Sequence, residues 1–593
     1  MMDIDQDKRL HTYSDKAILK RLMRYAIPYW KNFILTLFFM ILSVGFALLE
    51  PFILGRSLDL IIERPINFNL IYIWMGVFFG SIILNAVFNY LQTIILQKTG
   101  QSIIYNIREE MFSHVQSQDI DYFNQVPTGK LVTRVANDTN TLNEMYTSVI
   151  VNVFRNALLI IGILAAMFIL NLRLTLILLT VIPLIAVFSF MFRRFSRKAY
   201  REVRSLTSMI NGFLAEHLSG MKIVQIFNQE KEKMESFIEK NTQLKKAQLK
   251  ELLTFAIYRP TMYLLYTVAL ILIFYFGGMQ VVRGALTIGV LFAFQNYVRA
   301  FFQPIQELAE QFNILQSAFA SSERIFSILD TTPLIEDKED SVWLENVKGD
   351  IEFKDVWFAY KKEEWILKGV SFKAEMNQSI AFVGATGAGK TTILKLITRD
   401  FEIQKGQILI DGIDIKTIHR QSLRRFIGQM LQDVFMFSGT IKSNITLKEE
   451  SFSDEDVLIA TKYVNADRLL RKQPNGIHEE VRERGNNFSA GERQLISFAR
   501  TLIHQPRIII LDEATANIDT ETEIIIQDSL KKMLTIGTSF IVAHRLSTIQ
   551  HVDQIIVMAN GQIIEKGSHQ QLLKEKGHYY NLYQIQFKDA LAA

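Results

Sequence analysis

The chain has 593 residues, too many for one hydrophobic core, so we expect two or more domains. It contains no cysteine, which excludes disulfides, thiol catalysis and cysteine-bound metals, and its 10 histidines show no metal-ligand spacing. Basic and acidic residues balance from Ser341 onward, so the net charge of +5 arises upstream, among apolar segments; this surplus is too small to indicate nucleic acid. We therefore expect a membrane domain followed by a soluble domain.

Six apolar segments of membrane-spanning length precede residue 312. They are approximately Phe33–Leu54, Leu70–Leu96, Tyr146–Leu170, Leu174–Phe192, Leu252–Gly277 and Ile288–Leu308. The buried helices of a large soluble protein would be the alternative, but they rarely reach six such lengths in one half of a chain. We predict a six-helix α transmembrane bundle.

Basic residues indicate the orientation of these spans. Seven precede the first span: Lys8, Arg9, Lys16, Lys20, Arg21, Arg24 and Lys31. The connection at 193–250 is also basic, and the positive-inside rule therefore places both termini in the cytoplasm of a multi-pass protein of the plasma membrane. We expect Ala17–Trp30 to lie along the lipid bilayer's inner interface. No cleavable signal peptide is visible, because the first 31 residues are polar and basic.

The two long connections, about Gln97–Met145 and Arg193–Glu251, have helical patterning and few turn signals, which predicts helices that project into the cytoplasm.

Polar and aromatic residues are interleaved within the spans. The polar set is Glu50, Asn85, Asn89, Gln92, Arg155, Arg259, Gln295, Asn296, Arg299 and Gln303. The aromatic set is Phe88, Tyr90, Tyr263, Tyr266, Phe292, Phe294, Tyr297, Phe301 and Phe302. Together they favour an amphipathic translocation cavity. Taken one by one, they also fit hydrogen bonding and packing between helices.

The most specific motif is a glycine-rich turn between a predicted strand, Ser379–Val383, and a predicted helix, Thr391–Ile397. Its residues are Gly384, Ala385, Thr386, Gly387, Ala388, Gly389, Lys390, Thr391 and Thr392. Such a turn aims backbone N–H groups at phosphates, while the lysine reaches the β- and γ-phosphates and the threonine hydroxyl binds Mg²⁺. The sequence therefore predicts a nucleoside triphosphate site.

Two further strand ends carry polar side chains. The apolar strand Ile508–Leu511 is followed by Asp512 and Glu513. At such a position Asp512 can hold Mg²⁺ through water, and Glu513 can polarise the attacking water. His544 follows the apolar run 539–543 and is a candidate sensor of the γ-phosphate, although a lone strand-end histidine is often structural.

The ordered motifs resemble those of ABC transporters. The set comprises Tyr360, Gly384–Thr391, Gln432, Phe488–Gln494, Ile509–Glu513, Asp519 and His544. With six spans upstream, the chain resembles a half-transporter of the bacterial exporters that include multidrug efflux pumps. Similar intracellular-loop patterns are Asp121–Phe123, Gly129, Arg134, Asn137–Asp138, Glu216, Gly220 and Lys222. The resemblance implies domains at 1–330 (membrane), 331–346 (linker) and 347–593 (α/β ABC ATPase).

The resemblance also implies site roles. Tyr360 would stack on adenine, Gln432 would lie beside Mg²⁺, and Asp519 would cross a dimer interface. ATP would be bound between the phosphate loop of one ATPase domain and the signature helix of another, where Ser489 and Gly491 present hydroxyl and N–H groups. His544 and Glu513 would be the catalytic pair.

The signature motif, which begins the signature helix, is usually Leu-Ser-Gly-Gly-Gln in this family. In this chain the corresponding residues are Phe488-Ser489-Ala490-Gly491-Glu492. Ala490 adds a methyl group, and Glu492 places a carboxylate near a polyanion, a repulsion of about 3 kcal/mol at ~5 Å and an effective dielectric constant of ~20. Each change is tolerable alone. Together they indicate a weakened signature beside an intact Glu513, as expected of one subunit of a heterodimer.

These features predict an ATP-driven exporter of amphipathic, drug-like compounds that works by alternating access. A lipid or peptide exporter has the same ATPase motifs and remains an alternative. An ATP-gated regulatory subunit is a third possibility, against which Glu513 argues.

Overall fold

The computed structural model describes residues 13–333, 335, 337, 340–361, 364–431, 433–512, 520–542 and 549–592. These residues form two compact units. The first ends at Ser117 and resumes over Val126–Thr332, and the second comprises Gln118–Gln125 and the chain from Pro333 onward. The domain boundaries expected at residues 330 and 346 stay a prediction.

The first unit consists of helices. Its elements are α1 (Asp15–Ala26), α2 (Trp30–Ile62), α3 (Phe68–Gln116), α5 (Thr128–Thr133), α6 (Thr139–Glu144), α7 (Ile150–Leu170), α8 (Leu172–Leu179), α9 (Ile182–Ser219), α10 (Met221–Ile226), α11 (Glu230–Val282) and α12 (Ile288–Leu329), and α4 (Ile120–Gln125) belongs to the second unit. At 1.5 Å per residue the 53 residues of α11 extend about 80 Å, far beyond a bilayer core of about 30 Å. The predicted long helix is therefore present in the connection Arg193–Glu251, and its projection into the cytoplasm stays a prediction.

Among the described residues, five helical segments are long and apolar enough to cross a membrane. They are Asp15–Ile62, Phe68–Gln116, Thr128–Leu170, Leu172–Ser219 and Glu230–Val282. The sixth predicted span lies in α12, which is one continuous helix but contains Gln295, Asn296, Arg299 and Gln303. These polar residues lower its apolar character, so the count of six stays a prediction.

The aromatic residues of α12 correct one expectation. Phe294, Tyr297, Phe301 and Phe302 are buried in the helical core, with 0 to 6% of their surface exposed. They recur at the spacing of one helix face, and the Tyr297 hydroxyl donates to the Leu48 carbonyl at 2.6 Å. The interpretation that these four line a cavity is wrong, since this face packs against the other helices of the unit.

Polar residues of the spans also bond to one another. The Asn85 amide donates to Glu50 Oε1 at 3.1 Å, and the Ser43 hydroxyl donates to Asn85 Oδ1 at 2.7 Å. This chain of hydrogen bonds joins α2 to α3. The alternative reading, hydrogen bonding between helices, is therefore confirmed for Glu50 and Asn85. Arg299 of α12, by contrast, is exposed.

The second unit contains three sheets. Its strands are β1 (Ile351–Phe358), β2 (Leu367–Ala374), β3 (Ser379–Val383), β4 (Lys405–Ile410), β5 (Ile413–Asp414), β6 (Ile427–Met430), β7 (Gly439–Thr440), β8 (Glu480–Val481), β9 (Ile508–Asp512), β10 (Thr538–Val542), β11 (Gln554–Ala559) and β12 (Gln562–Gly567). The orders are β2-β1-β4-β5, β12-β11-β3-β10-β9-β6 and β7-β8. In the six-stranded sheet all neighbours are parallel except β11 and β12.

The helices of this unit are α13 (Lys390–Ile397), α14 (Arg420–Arg425), α15 (Ile441–Ile445), α16 (Asp454–Tyr463), α17 (Asp467–Leu470), α18 (Ala490–Ile503), α19 (Thr520–Met533), α20 (His569–Glu575) and α21 (His578–Ala592). All residues of β3 and β10 are buried, as expected for the centre of a parallel sheet covered on both faces. Ligands of such sheets bind at the carboxyl ends of the strands, which here include the ends of β3 and β9.

A short segment from the long α3–α5 connection belongs to the second unit. This segment, Gln118–Gln125, contains the predicted loop pattern Asp121–Phe123. Arg420 Nη1 donates to Asp119 Oδ1 at 2.6 Å, and the Ile335 N–H donates to Asp119 Oδ2 at 3.0 Å. The intracellular-loop pattern at Asp121–Phe123 therefore belongs to the same compact unit as the residues from Pro333 onward.

Candidate nucleotide-binding site

The predicted phosphate loop joins β3 to α13. Gly384 and Gly389 have φ values of +152° and +98°. A Cβ at Gly384 would lie 2.2 Å from the Met558 carbonyl oxygen, and one at Gly389 would lie 2.7 Å from Leu367 Cδ2. Glycine is therefore required at both positions. Residues 385–387 are exposed, so the turn presents its backbone to solvent at the carboxyl edge of the sheet.

Lys390 is the first residue of α13 and is 6% exposed. Its Nζ donates to the carbonyl oxygens of Gly384 at 2.8 Å and Ala385 at 3.0 Å, which fixes the ammonium group inside the loop. Burial lowers the pKa of Lys390, and the negative charge of Asp512 opposes that shift. The lysine is thus held beside the loop by the loop's own carbonyls.

Asp512 is the last residue of β9, and only β10 separates β9 from β3. Thr391 is exposed in the first turn of α13, whereas Ala388 and Thr392 are buried. An exposed hydroxyl, a nearby carboxylate and a turn that ends at a helix N-terminus form the donor set that suits a phosphate chain with Mg²⁺. The described residues therefore fit ATP and Mg²⁺.

Tyr360 follows β1 and approaches the same helix. Its hydroxyl lies 3.3 Å from Thr392 Oγ1, its ring packs edge-on against Phe401 with centroids 5.0 Å apart, and the Lys395 ammonium lies 5.9 Å from the ring centroid. The ring is 45% exposed. The structure thus brings Tyr360 beside the phosphate loop with a free surface for stacking.

Phe401 and Lys395 are site residues that sequence reasoning missed. Lys395 lies five residues after Lys390 in the same helix, and Phe401 follows that helix by four residues. Their contact with Tyr360 depends on the chain just after β1 packing against α13 and the segment that follows it. No local pattern predicts that packing. The position of Lys395 on α13, one turn beyond the loop, could nevertheless have indicated that its side chain lies near the nucleotide site.

The signature residues begin α18. Ser489 caps this helix: its Oγ accepts from the Glu492 N–H at 3.2 Å, and its own N–H donates to Glu492 Oε2 at 2.8 Å. This is a capping box. Ser489 and Ala490 are exposed, and Gly491 is buried. The chain's own Glu492 carboxylate therefore accepts the hydrogen bond of the Ser489 N–H, at the helix start that the resemblance assigns to a nucleotide phosphate.

Four predicted site residues, Gln432, Glu513, Asp519 and His544, lie outside the described residues. Gln432, Glu513 and His544 come one or two residues after β6, β9 and β10 in the chain, all strands of the parallel sheet. Their roles stay predictions. The remaining predicted residues form two groups, one around the phosphate loop and one at the start of α18.

Comparison with known proteins identifies both parts of the chain. Residues 33–305 match the family described as the ABC transporter transmembrane region, and residues 367–516 match the family described as ABC transporter. The Bacillus subtilis "Probable multidrug resistance ABC transporter ATP-binding/permease protein" is 40% identical over 513 residues, 86% of this chain and 76% of that protein.

Two other relatives match over nearly their full length. The "ATP-dependent lipid A-core flippase" of Desulfotalea psychrophila is 34% identical, with 97% of this chain and 100% of the relative covered. The "Multidrug resistance-like ATP-binding protein" of Buchnera aphidicola is 35% identical, with 96% and 98% covered. The chain therefore belongs to the bacterial ABC exporters, as a half-transporter that couples hydrolysis of ATP, bound with Mg²⁺, to export across a membrane.

Proposed function

We propose that this chain exports amphipathic, drug-like compounds across the plasma membrane, with both termini in the cytoplasm. The observation that carries the proposal is the phosphate loop with Lys390 held inside it, in one chain with five apolar helices of spanning length. The names of two relatives support drug-like cargo, because both refer to multidrug resistance. Exposed Arg299 and the half-buried Tyr266 offer the mixed polar and aromatic surface that amphipathic cargo needs.

Within the ATPase site, we assign roles to this chain's own residues. The loop backbone and Lys390 would hold the phosphates, Tyr360 would stack on adenine, and Thr391, Gln432 and Asp512 would hold Mg²⁺. When bound, Mg²⁺ would neutralise part of the negative charge of the phosphates. Glu513 would accept a proton from, or orient, the attacking water, and His544 would hydrogen-bond near the reacting phosphate.

Transport by the purified native complex tests the cargo assignment. The complex would be reconstituted in vesicles with its ATPase domains outside, and uptake of a lipophilic cationic dye would be measured with Mg²⁺ and ATP. We expect uptake that Glu513→Gln abolishes, because this change should slow hydrolysis by about 100-fold or more while binding persists. Uptake of a fluorescent lipid without uptake of the dye would favour the lipid alternative, which the flippase relative supports.

We further propose that the partner is a different half-transporter. Two signature positions depart from the family pattern in the direction that weakens anion binding, since the exposed Ala490 adds a methyl group and the partly buried Glu492 adds a charge. In a heterodimer, Glu513 and His544 would act with the partner's signature, and Ser489 and Gly491 would serve a second site of slow turnover. A homodimer would combine the weak signature with the complete catalytic set at both sites.

Purification from the native membrane tests this pairing. A tag on this chain, gentle solubilisation and native mass spectrometry would report the mass and stoichiometry of the complex. We expect one copy of this chain and one copy of a second ABC half-transporter. A complex of two copies of this chain with full transport activity would contradict the heterodimer.

A further inference from the structure

Helix α13 carries a second lysine, Lys395, beyond the phosphate loop. Five positions separate it from Lys390, which places the two side chains about 140° apart around the helix and about 7.5 Å apart along its axis. Lys395 shares a helix face with Thr392, three positions earlier, whose Oγ1 lies 3.3 Å from the Tyr360 hydroxyl. Lys395 therefore lies on the side of α13 that Tyr360 contacts, and not on the side of Lys390.

Two aromatic rings form a corner around the Lys395 ammonium group. Its Nζ lies over both rings, 5.9 Å from the Tyr360 centroid and 6.0 Å from the Phe401 centroid. The two ring planes are 85° apart, and the buried Phe358 packs edge-on against both rings. Because the face of an aromatic ring is negative, a cation in such a corner is attracted by both rings.

The carboxylates that follow α13 are paired with arginines. Asp400 Oδ1 lies 3.1 Å from Arg424 Nη2, and Glu402 Oε1 lies 3.3 Å from Arg399 Nη2. The acidic residues closest to Lys395 in the sequence therefore have other cations as partners. The printed contacts of the Lys395 ammonium within the described part of the chain are those with the two rings.

These contacts hold the Tyr360 ring on several sides. Thr392 lies at its hydroxyl, Phe401 lies against it with centroids 5.0 Å apart, and the Lys395 ammonium lies over one face. The ring nevertheless stays 45% exposed. A base that stacks on Tyr360 would therefore use the face opposite Lys395, and a ring already held in place loses little freedom when the base binds.

We propose that Lys395 is a positioning residue for the adenine base of ATP. Its ammonium group holds one face of Tyr360 by cation–π attraction, and the opposite face is thereby presented to the base. The proposal rests on the proposed stacking of Tyr360 on adenine. Lys395 acts through the ring and not on the phosphates, and the loss of its attraction should weaken ATP binding by about 3-fold.

Steady-state ATPase assays of the purified native complex test the proposal at the site that contains this chain's phosphate loop. Lys395→Met removes the charge and keeps a long side chain that suits a helix. We expect it to raise the ATP concentration for half-maximal hydrolysis by about 3-fold at an unchanged maximal rate. Lys395→Gln is a second neutral variant and should behave in the same way. Lys395→Arg keeps the cation and should match the parent, as should Lys472→Met, which removes an exposed lysine elsewhere in the second unit.

A double-mutant cycle with Tyr360 identifies the route of the effect. Tyr360→Phe keeps the ring, so Lys395→Met should still raise the ATP requirement by about 3-fold in that background. Tyr360→Leu removes the ring, so the effect of Lys395→Met should disappear. Inorganic tripolyphosphate has phosphates and no base, and its inhibition of hydrolysis should be equal in the parent and in Lys395→Met.

Three results would overturn the role of Lys395: an unchanged ATP requirement in both neutral variants, the same increase in the Tyr360→Leu background, or weaker inhibition of Lys395→Met by tripolyphosphate. Tyr360→Leu alone checks the stacking on which the proposal rests. An ATP requirement equal to the parent's would refute adenine stacking together with this proposal. A raised requirement without any effect of Lys395→Met would refute the role of Lys395 and leave the stacking intact.

Discussion

Replacing Glu492 with Gln separates the charge of this residue from its role as a cap. In the structure its Oε2 lies 2.8 Å from the Ser489 nitrogen. A glutamine amide oxygen accepts the same hydrogen bond, so Glu492→Gln should leave α18 capped. Glu492→Ala removes both the bond and the charge and should lower stability by about 1 kcal/mol. The two variants together therefore isolate the electrostatic effect.

The expected gain follows from this position. A phosphate bound at the exposed start of α18 would lie about 5 Å from the carboxylate, and at an effective dielectric constant of about 20 their repulsion is about 3 kcal/mol. Because Glu492 is only partly buried, solvent should screen about half of this. We expect Glu492→Gln, alone or with Ala490→Gly, to tighten nucleotide binding by about 10-fold at the site that uses this signature.

ATPase assays of the purified chain and of the native complex then distinguish the two assemblies. In a heterodimer, the substituted signature faces the nucleotide bound by the partner's phosphate loop. The main hydrolysis rate, which depends on Glu513, should therefore change little, while nucleotide exchange at the partner's site should slow. In a homodimer, a gain of about 1.4 kcal/mol acts at both working sites and raises activity about 10-fold. A highly active single chain with that gain would refute the heterodimer. Unchanged nucleotide affinity in both preparations would refute the charge argument.

Tyr360→Ala should raise the ATP concentration needed for half-maximal hydrolysis by about 10-fold at a similar maximal rate, and a large defect at saturating ATP would exclude adenine stacking. Asp138→Asn should destabilise the first unit by about 3 kcal/mol in a thermal or denaturant melt. Arg299→Gln should alter which dyes are exported, whereas Tyr297→Phe should mainly cost about 1 kcal/mol of stability. A common loss for all dyes with Arg299→Gln would indicate a packing role.

Local sequence was sufficient for the phosphate loop. Gly384 and Gly389 must adopt positive φ where the backbone approaches Met558 and Leu367. Only glycine meets both requirements easily, so the residue type itself indicates the backbone conformation. The strand at 379–383 and the helix that follows were predictable for a related reason, since an unbroken apolar run bounded by a glycine turn has few alternatives. Apolar length similarly predicted the membrane helices, although polar residues in α12 left the sixth span a prediction.

Side-chain direction required the tertiary structure. The aromatic residues of α12 were apparent from the sequence, but only packing decided that Phe294 and Tyr297 face the helical core and Arg299 faces outward. Glu492 is a comparable case: its charge was visible, and its bond to the Ser489 N–H depends on where α18 begins. Sequence determines residue chemistry and local backbone preference. Burial and pairing depend on elements distant in the chain, because one helical pattern can pack through more than one face.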